Sequence, residues 1–312
     1  MCISAACALL LLCAAAPAAA QAPAPEPAVP VIAARHLFDL EADFLHPSDV
    51  AVGAEGRVYV VDGVNGQVKI FDSAGKFLSS FGEKGAGRGK LNHPLGIDIA
   101  QNGAVYIADS GNHCVQVFDP AGRFQFEFPV AVKDSPRQPD PVDVVVDSSR
   151  DRCYVVDNDN HRILAYTRDG SRLIKVWGSR GEKPGEFNFP FFAARDSYGI
   201  LYAVDVLNTR VQAISDEGRT LALIGKWGVD RGQFYRPKGV TIDKKDRIYV
   251  SDSFLGVVQV FKRYNTFLGV IGTESGQRLH FTTPTGIYID ATLRLYVVEM
   301  RQNRVRVYQI IE

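Results

Sequence analysis

Past residue 46 the chain is built from short runs in which polar and apolar positions alternate, each closed by a turn. Asp49-Val50-Ala51-Val52 is followed by a turn at Glu55-Gly56, and Arg57-Val58-Tyr59-Val60-Val61 comes next. Val68-Lys69-Ile70-Phe71 then leads through Asp72-Ser73-Ala74-Gly75 to Phe77-Leu78-Ser79-Ser80-Phe81, which ends at Gly82. Alternation with β-branched residues predicts four strands. The Asp-x-x-Gly turn supplies the left-handed residue that a tight hairpin needs, and it recurs as Asp119-Pro120-Ala121-Gly122. No segment sustains a helical apolar period.

The same pattern returns along the chain. A proline opens each copy at Pro47, Pro94, Pro141, Pro190, Pro237 and Pro284, with spacings of 47, 47, 49, 47 and 47. In phase with it run Tyr59, Tyr106, Tyr154, Tyr202, Tyr249 and Tyr296, and the acids Asp62, Asp109, Asp157, Asp205, Asp252 and Glu299. The third copy is longer by 2 residues, which fall one on each side of Tyr154 and are assigned to connections. Repeated four-stranded units of this length predict an all-β, six-bladed β-propeller of four-stranded antiparallel blades. The last copy stops after its third strand, Arg304-Val305-Arg306-Val307-Tyr308. Residues 29–46 carry a strand-like segment, His36-Leu37-Phe38-Asp39-Leu40. The expectation is that this N-terminal strand completes the last blade and closes the ring, removing two exposed sheet ends.

Pro94-Leu95-Gly96-Ile97-Asp98-Ile99, Val105-Tyr106-Ile107-Ala108-Asp109-Ser110-Gly111-Asn112 and the Phe81-Gly82 ending resemble the NHL repeat. The resemblance covers roughly residues 36–312 and implies a six-bladed propeller. It implies little about activity, since the family spans scaffolds, RNA-binding modules and a lyase. The Asp-x-x-Asn-x-Arg part is complete as Asp157, Asn160, Arg162 and as Asp205, Asn208, Arg210. It becomes Asp62, Asn65, Gln67 in the first copy and Asp109, Asn112, Cys114 in the second. The fifth copy has Leu255 and Val257, and the sixth has Glu299, Gln302 and Arg304. A structural role is expected: Asp and Asn fold back on the backbone, and Arg makes a charge-assisted bond to the acid.

The N-terminus is different. Residues 1–20 hold no charge, Ile3 to Ala16 is apolar, and Ala18-Ala19-Ala20 precedes Gln21, although no Lys or Arg comes before the apolar core. This reads as a signal peptide, and the apolar run is short of the roughly 20 residues a membrane span requires. Residues 21–34, with Pro23, Pro25, Pro27 and Pro30, read as a Pro/Ala-rich tether; residues 35–312 are the propeller. The expected location is therefore periplasmic or extracellular, with no membrane span in the mature chain. After cleavage Cys114 and Cys153 remain, in different repeats, and are expected as separate buried thiols rather than a disulfide.

The chain has 35 basic and 35 acidic residues. That balance argues against an electrostatically driven nucleic-acid binder. Connections that precede each proline and follow each tyrosine strand share one face, here called the top, and its longer loops make it the expected binding surface. Arg88 and Lys90 lie in one such connection, and Trp227, Arg231, Tyr235 and Arg236 in another. Aromatic and Arg anchors of this kind suit a protein or peptide partner. Five of the six histidines fall on the same face (His46, His93, His113, His161 and His280). His46, His93 and Asp140 each precede a repeat proline and are the candidate metal ligands at the channel mouth. In the peptidyl-hydroxyglycine amidating lyase, a propeller enzyme resembling this family, the zinc is held by His just after the blade proline. Here those positions are Ser48, Leu95, Val142, Phe191, Lys238 and Thr285. No Gly-x-Ser-x-Gly, His-Glu-x-x-His or phosphate-loop motif occurs. The sequence is thus read as a monomeric, non-catalytic exported scaffold without cofactor. The alternative is a metal-dependent lyase or hydrolase at the channel mouth.

Overall fold

The computed structural model of the chain describes residues 29–312; the expected leader at 1–20 and the tether up to residue 28 lie outside the described residues. β1 (Val31–Leu40) comes first. The first repeat gives β2 (Pro47–Val52), β3 (Val58–Asp62), β4 (Gln67–Phe71) and β5 (Phe77–Phe81). The second gives β6 (Pro94–Ile99), β7 (Val105–Asp109), β8 (Cys114–Phe118) and β9 (Phe124–Pro129). The third gives β10 (Pro141–Asp147), β11 (Arg152–Asp157), β12 (Arg162–Thr167) and β13 (Leu173–Trp177). The fourth gives β14 (Pro190–Arg195), β15 (Leu201–Asp205), β16 (Arg210–Ile214) and β17 (Thr220–Ile224). Each of these repeats forms one 4-stranded antiparallel sheet in sequence order.

The remaining strands are β18 (Pro237–Ile242), β19 (Ile248–Asp252), β20 (Val257–Lys262), β21 (Thr266–Gly272), β22 (Pro284–Ile289), β23 (Arg294–Glu299) and β24 (Arg304–Ile310). Together with β1 they form a single 8-stranded sheet, ordered β18-β19-β20-β21-β1-β24-β23-β22. This corrects the expected six-bladed propeller of separate four-stranded blades: the sheets are four blades plus one eight-stranded sheet. The cause is the length and bending of β1. Its C-terminal part pairs antiparallel with β24, as Leu40 with Val305, and a bulge falls between His36 and Phe38. Its first residues, Val31 to Ala33, pair parallel with Val270 to Gly272 of β21. β1 therefore does not simply finish a last blade but sits between two repeats and satisfies both of their edges. It also draws residues 31–34, assigned from composition to the tether, into the sheet.

The first strands pack side by side around a central channel in the order β2, β6, β10, β14, β18, β22, and β22 packs back on β2. Second strands such as β3 and β15 are buried throughout, while β5 is exposed except at Phe81. Each recurring tyrosine is buried and its hydroxyl finds an acceptor, as burial of a phenol requires: Tyr59 donates to Pro120 O at 2.9 Å and Tyr154 to Asp216 at 2.9 Å. Cys114 and Cys153 are buried free thiols. No helix among the described residues is long and apolar enough to cross a membrane.

Candidate functional site

The six recurring acids are fully buried beneath the top face. Each accepts a backbone N–H from the connection before its own repeat proline. Leu45 donates to Asp62 at 2.8 Å, Asn92 to Asp109 at 2.7 Å and Asp140 to Asp157 at 2.9 Å. Asn188 donates to Asp205 at 2.7 Å, Tyr235 to Asp252 at 2.7 Å and Thr282 to Glu299 at 2.5 Å. The acids thus pin the loops that build the top surface. Asn65, Asn112, Asn160 and Asn208 donate to the same carboxylates. Arg162, Arg210 and Arg304 complete the set through Nε at 2.8, 2.9 and 2.7 Å.

In the first two copies, which lack the arginine, a residue two positions later on the same face of the strand reaches the acid. Lys69 Nζ lies 3.3 Å from Asp62, and Gln116 Nε2 donates to Asp109 at 2.8 Å. The sequence signal is Lys69 and Gln116 themselves, lone polar residues inside the apolar third strands of the first two copies.

The three candidate metal ligands are not brought into one ligand set. His46 takes φ 51°, and its backbone N–H donates to Asn303 Oδ1 at 2.9 Å. His93, also at φ 51°, turns Nδ1 toward Asn92 at 3.0 Å. Asp140 accepts from Ser110 Oγ at 2.5 Å. Phe189 and Thr283 share the left-handed backbone at φ 55° and 50°, so the backbone turn that His46 and His93 make does not depend on an imidazole. Among the described residues no group of three His, Cys, Asp or Glu side chains could hold a metal ion.

The basic and aromatic rim residues are all exposed but fall in two places. The connection before β6, with Arg88 and Lys90, lies three first strands around the ring from the connection before β18. Lys90 is paired with Glu83 at 3.2 Å. Trp227, Arg231, Tyr235 and Arg236 are held together by the β18 connection. There an isolated bridge between Trp227 and Phe234 ties the loop down through buried Phe234 and leaves the indole outside. Tyr235 stacks on Phe254 with centroids 3.9 Å apart. Exposed apolar side chains concentrate in this sector: Trp227 is 71% exposed, Val229 68%, Phe254 60% and Leu207 58%. Leu207 and Trp227 border one shallow cavity, and exposed apolar side chains on a rigid scaffold are candidates for an interaction surface.

Inward from the patch is a recess of about 400 Å³ bordered by Phe189, Phe191, Leu207, Arg236 and Lys238. Phe189 is fixed from behind, its N–H donating to His161 Nδ1 at 3.0 Å and its ring edge on the imidazole at 4.6 Å. Burial and the neighbouring Arg180 and Arg137 keep that imidazole below its usual pKa, which suits its acceptor role. Lys238 Nζ sits 3.9 Å from the Phe191 ring centroid. Burial, and secondarily Arg236, lower its pKa to about 8.

Deeper in the channel, Asp49, Asp98 and Asp143 line a second cavity of about 220 Å³. Each carboxyl bridges to the next first strand: Ile97 N donates to Asp49 at 3.2 Å, Val146 N to Asp98 at 2.7 Å and Ala193 N to Asp143 at 2.7 Å. Desolvation raises Asp49 to about 8, Asp98 to about 6 and Asp143 well above the usual range. The sequence signal was present: Asp49 and Asp143 stand where other copies have Gly96, Gly239 and Gly286.

The NHL repeat family model matches residues 44–71 and 91–118. No curated protein sequence matches the chain. Among solved structures, a gluconolactonase from Xanthomonas campestris superposes with a TM-score of 0.66 at 16% identity, over 93% of this chain and 99% of that one. A streptogramin B lyase gives 0.62 at 13%, over 89% and 97%. A virginiamycin B lyase from Staphylococcus aureus gives 0.60 at 15%, over 88% and 98%. At such identities the likeness carries the fold alone. With its phased repeats and its ring of packed first strands, the chain carries NHL repeats at residues 44–71 and 91–118 and shares the β-propeller fold of these structures.

Proposed function

We propose that this protein is an exported, non-catalytic binding propeller that holds a protein or peptide partner on its top face in the sector of β14 to β19. The observation that carries the reading is the patch of Leu207, Trp227, Val229, Tyr235 and Phe254, exposed together and bordered by Arg231 and Arg236. Large rigid aromatics lose little conformational freedom on binding, and arginines beside them supply directional polar contacts. Arg88 and Lys90, across the channel, are outside this surface. The uncharged leader at 1–20 supports a periplasmic or extracellular setting.

The test is selection of peptides from a displayed library on the immobilised full-length protein, followed by affinity measurement on variants. Trp227→Ala and Arg231→Glu should each weaken the selected peptides at least tenfold, as removal of interface anchors does. No enriched peptide, or peptides indifferent to both changes, would remove the reading.

A further inference from the structure

The recess beside the patch holds two cations and no counter-ion. Neither Arg236 nor Lys238 has a carboxylate within ion-pair distance among the described residues. The acid of their own repeat cannot serve. Asp252 is buried and accepts the N–H groups of Tyr235, Arg236, Phe254 and Leu255. Lys238 leans on the Phe191 face, which offsets part of the cost of withdrawing an ammonium from water. Phe189, Phe191 and Leu207 give the same recess apolar walls, and Phe189 is held in place by His161. Asn158 at its border is already committed, donating to Pro190 O at 2.7 Å. A pre-formed pocket with fixed aromatic walls and an unneutralised pair of cations matches one chemistry, an apolar group that carries a carboxylate.

We propose that the recess seats the C-terminus of a peptide, with the terminal carboxylate between Lys238 and Arg236 and an apolar last side chain against Phe189, Phe191 and Leu207. The inference deepens the peptide-binding reading above and rests on it for the choice of a chain end over a free acid. One feature of the recess favours that choice. Leu207 borders both the recess and the neighbouring cavity lined by Trp227, so a chain leaving the recess past Leu207 would meet Trp227. The guanidinium and ammonium serve the carboxylate of either occupant, so the choice rests on Leu207 and is decided by the probes below.

The probes are N-acetyl-phenylalanine, its carboxamide and 3-phenylpropionate, titrated calorimetrically into the full chain at pH 7. The acid should bind at least tenfold tighter than the amide. Lys238→Met, which keeps the apolar stem, should cost at least tenfold, and Arg236→Gln at least threefold. Both variants are checked for unchanged thermal unfolding. Because an anion favours the charged ammonium, wild-type affinity should fall between pH 7 and pH 9.5, while the Lys238→Met profile stays flat. Equal binding of acid and amide, or variants that bind like wild type, overturns the site. Phenylpropionate binding as tightly as the acetylated amino acid overturns the peptide end as occupant. The two readings fail separately. Selected peptides that depend on Trp227 but tolerate C-terminal amidation leave the patch and remove the recess; acid binding that ignores Trp227, with no peptide selected, does the reverse.

Discussion

Lys69 is buried with its ammonium 3.3 Å from Asp62, on the strand position where a charge is least expected. It also donates to the backbone oxygen of Asp43 at 2.8 Å, so one cation joins the third strand of the first repeat to the chain leaving β1. Removing one member of a buried pair leaves the other charge desolvated, which costs about 3–5 kcal/mol. Lys69→Ala should therefore destabilise far more than the exposed Lys90→Ala, whose pair with Glu83 is worth at most about 1 kcal/mol. Urea unfolding of the two variants checks this, and equal midpoints would show that Lys69 is idle.

Gly96 is required by its neighbour. A Cβ there would lie 2.3 Å from Asp143 Oδ1 and 2.6 Å from Asp143 Cα, so backbone as well as side chain would have to move. Gly286 stands in the same relation to Asp49, at 2.2 and 2.6 Å. Overpacking of this kind costs about 1–3 kcal/mol. Gly96→Ala should lower stability by that amount, and Gly96→Ala combined with Asp143→Gly should recover part of it. A double-mutant cycle with no coupling would separate the two positions.

The channel carboxyls set the pH dependence between about 4 and 8. Their folded-state pKa values lie above the unfolded value of 3.8, so the folded protein binds more protons and stability declines as pH rises through the folded values. Asp98 alone, moving from 3.8 to about 6, accounts for roughly 3 kcal/mol at about 1.4 kcal/mol per pH unit. Burial pushes Asp109, Asp140 and Asp205 in the same direction. His161, lowered by burial, opposes them below its usual value of 6.5. Chemical unfolding at pH 5 and pH 8 should give the lower stability at pH 8. Asp98→Asn, which cannot ionise, should flatten the slope whatever it does to absolute stability. An unchanged slope would place the titration elsewhere.

What the sequence made legible was whatever repeats. Pro47, Tyr59, Asp62 and their five counterparts each occupy equivalent places because one backbone geometry recurs, so their phase alone located strands, turns and the top face. Illegible was what occurs once and depends on neighbours distant in sequence. Lys69 replaces the missing arginine only because strand pleating puts both positions on one face. The recess joins Phe189 and Phe191 to Arg236 and Lys238, side chains from successive repeats that meet only when first strands pack around the channel. Arg88 and Lys90 looked like part of the same rim because loop composition carries no angle around the ring. The merged eight-stranded sheet escaped for a related reason: repeat spacing gives the number of units, whereas the pairing of β1 with β21 follows from a three-residue extension outside any repeat.

That extension gives the most direct test of how the ring holds. β1 contributes buried Ala34 and Leu40, and it covers β21 on one side and β24 on the other. Arg35 reinforces the first junction through a bidentate contact with Glu274, with Nε at 2.7 Å. A chain beginning at Glu41 would expose both edges, lose the packing of Leu40 in the core beside Val305, and leave two strand edges free to pair with other molecules. Its melting temperature should fall by on the order of 10 °C relative to a chain beginning at Pro30, given about 2–4 °C per kcal/mol for a domain of this class. It should also associate with rising concentration in analytical ultracentrifugation. Ile32→Pro, which removes the N–H that faces β21 in the parallel pairing and leaves the antiparallel contact with β24 in place, should melt between the two. If all three melt together, β1 is a passenger on a ring closed by side-chain packing alone.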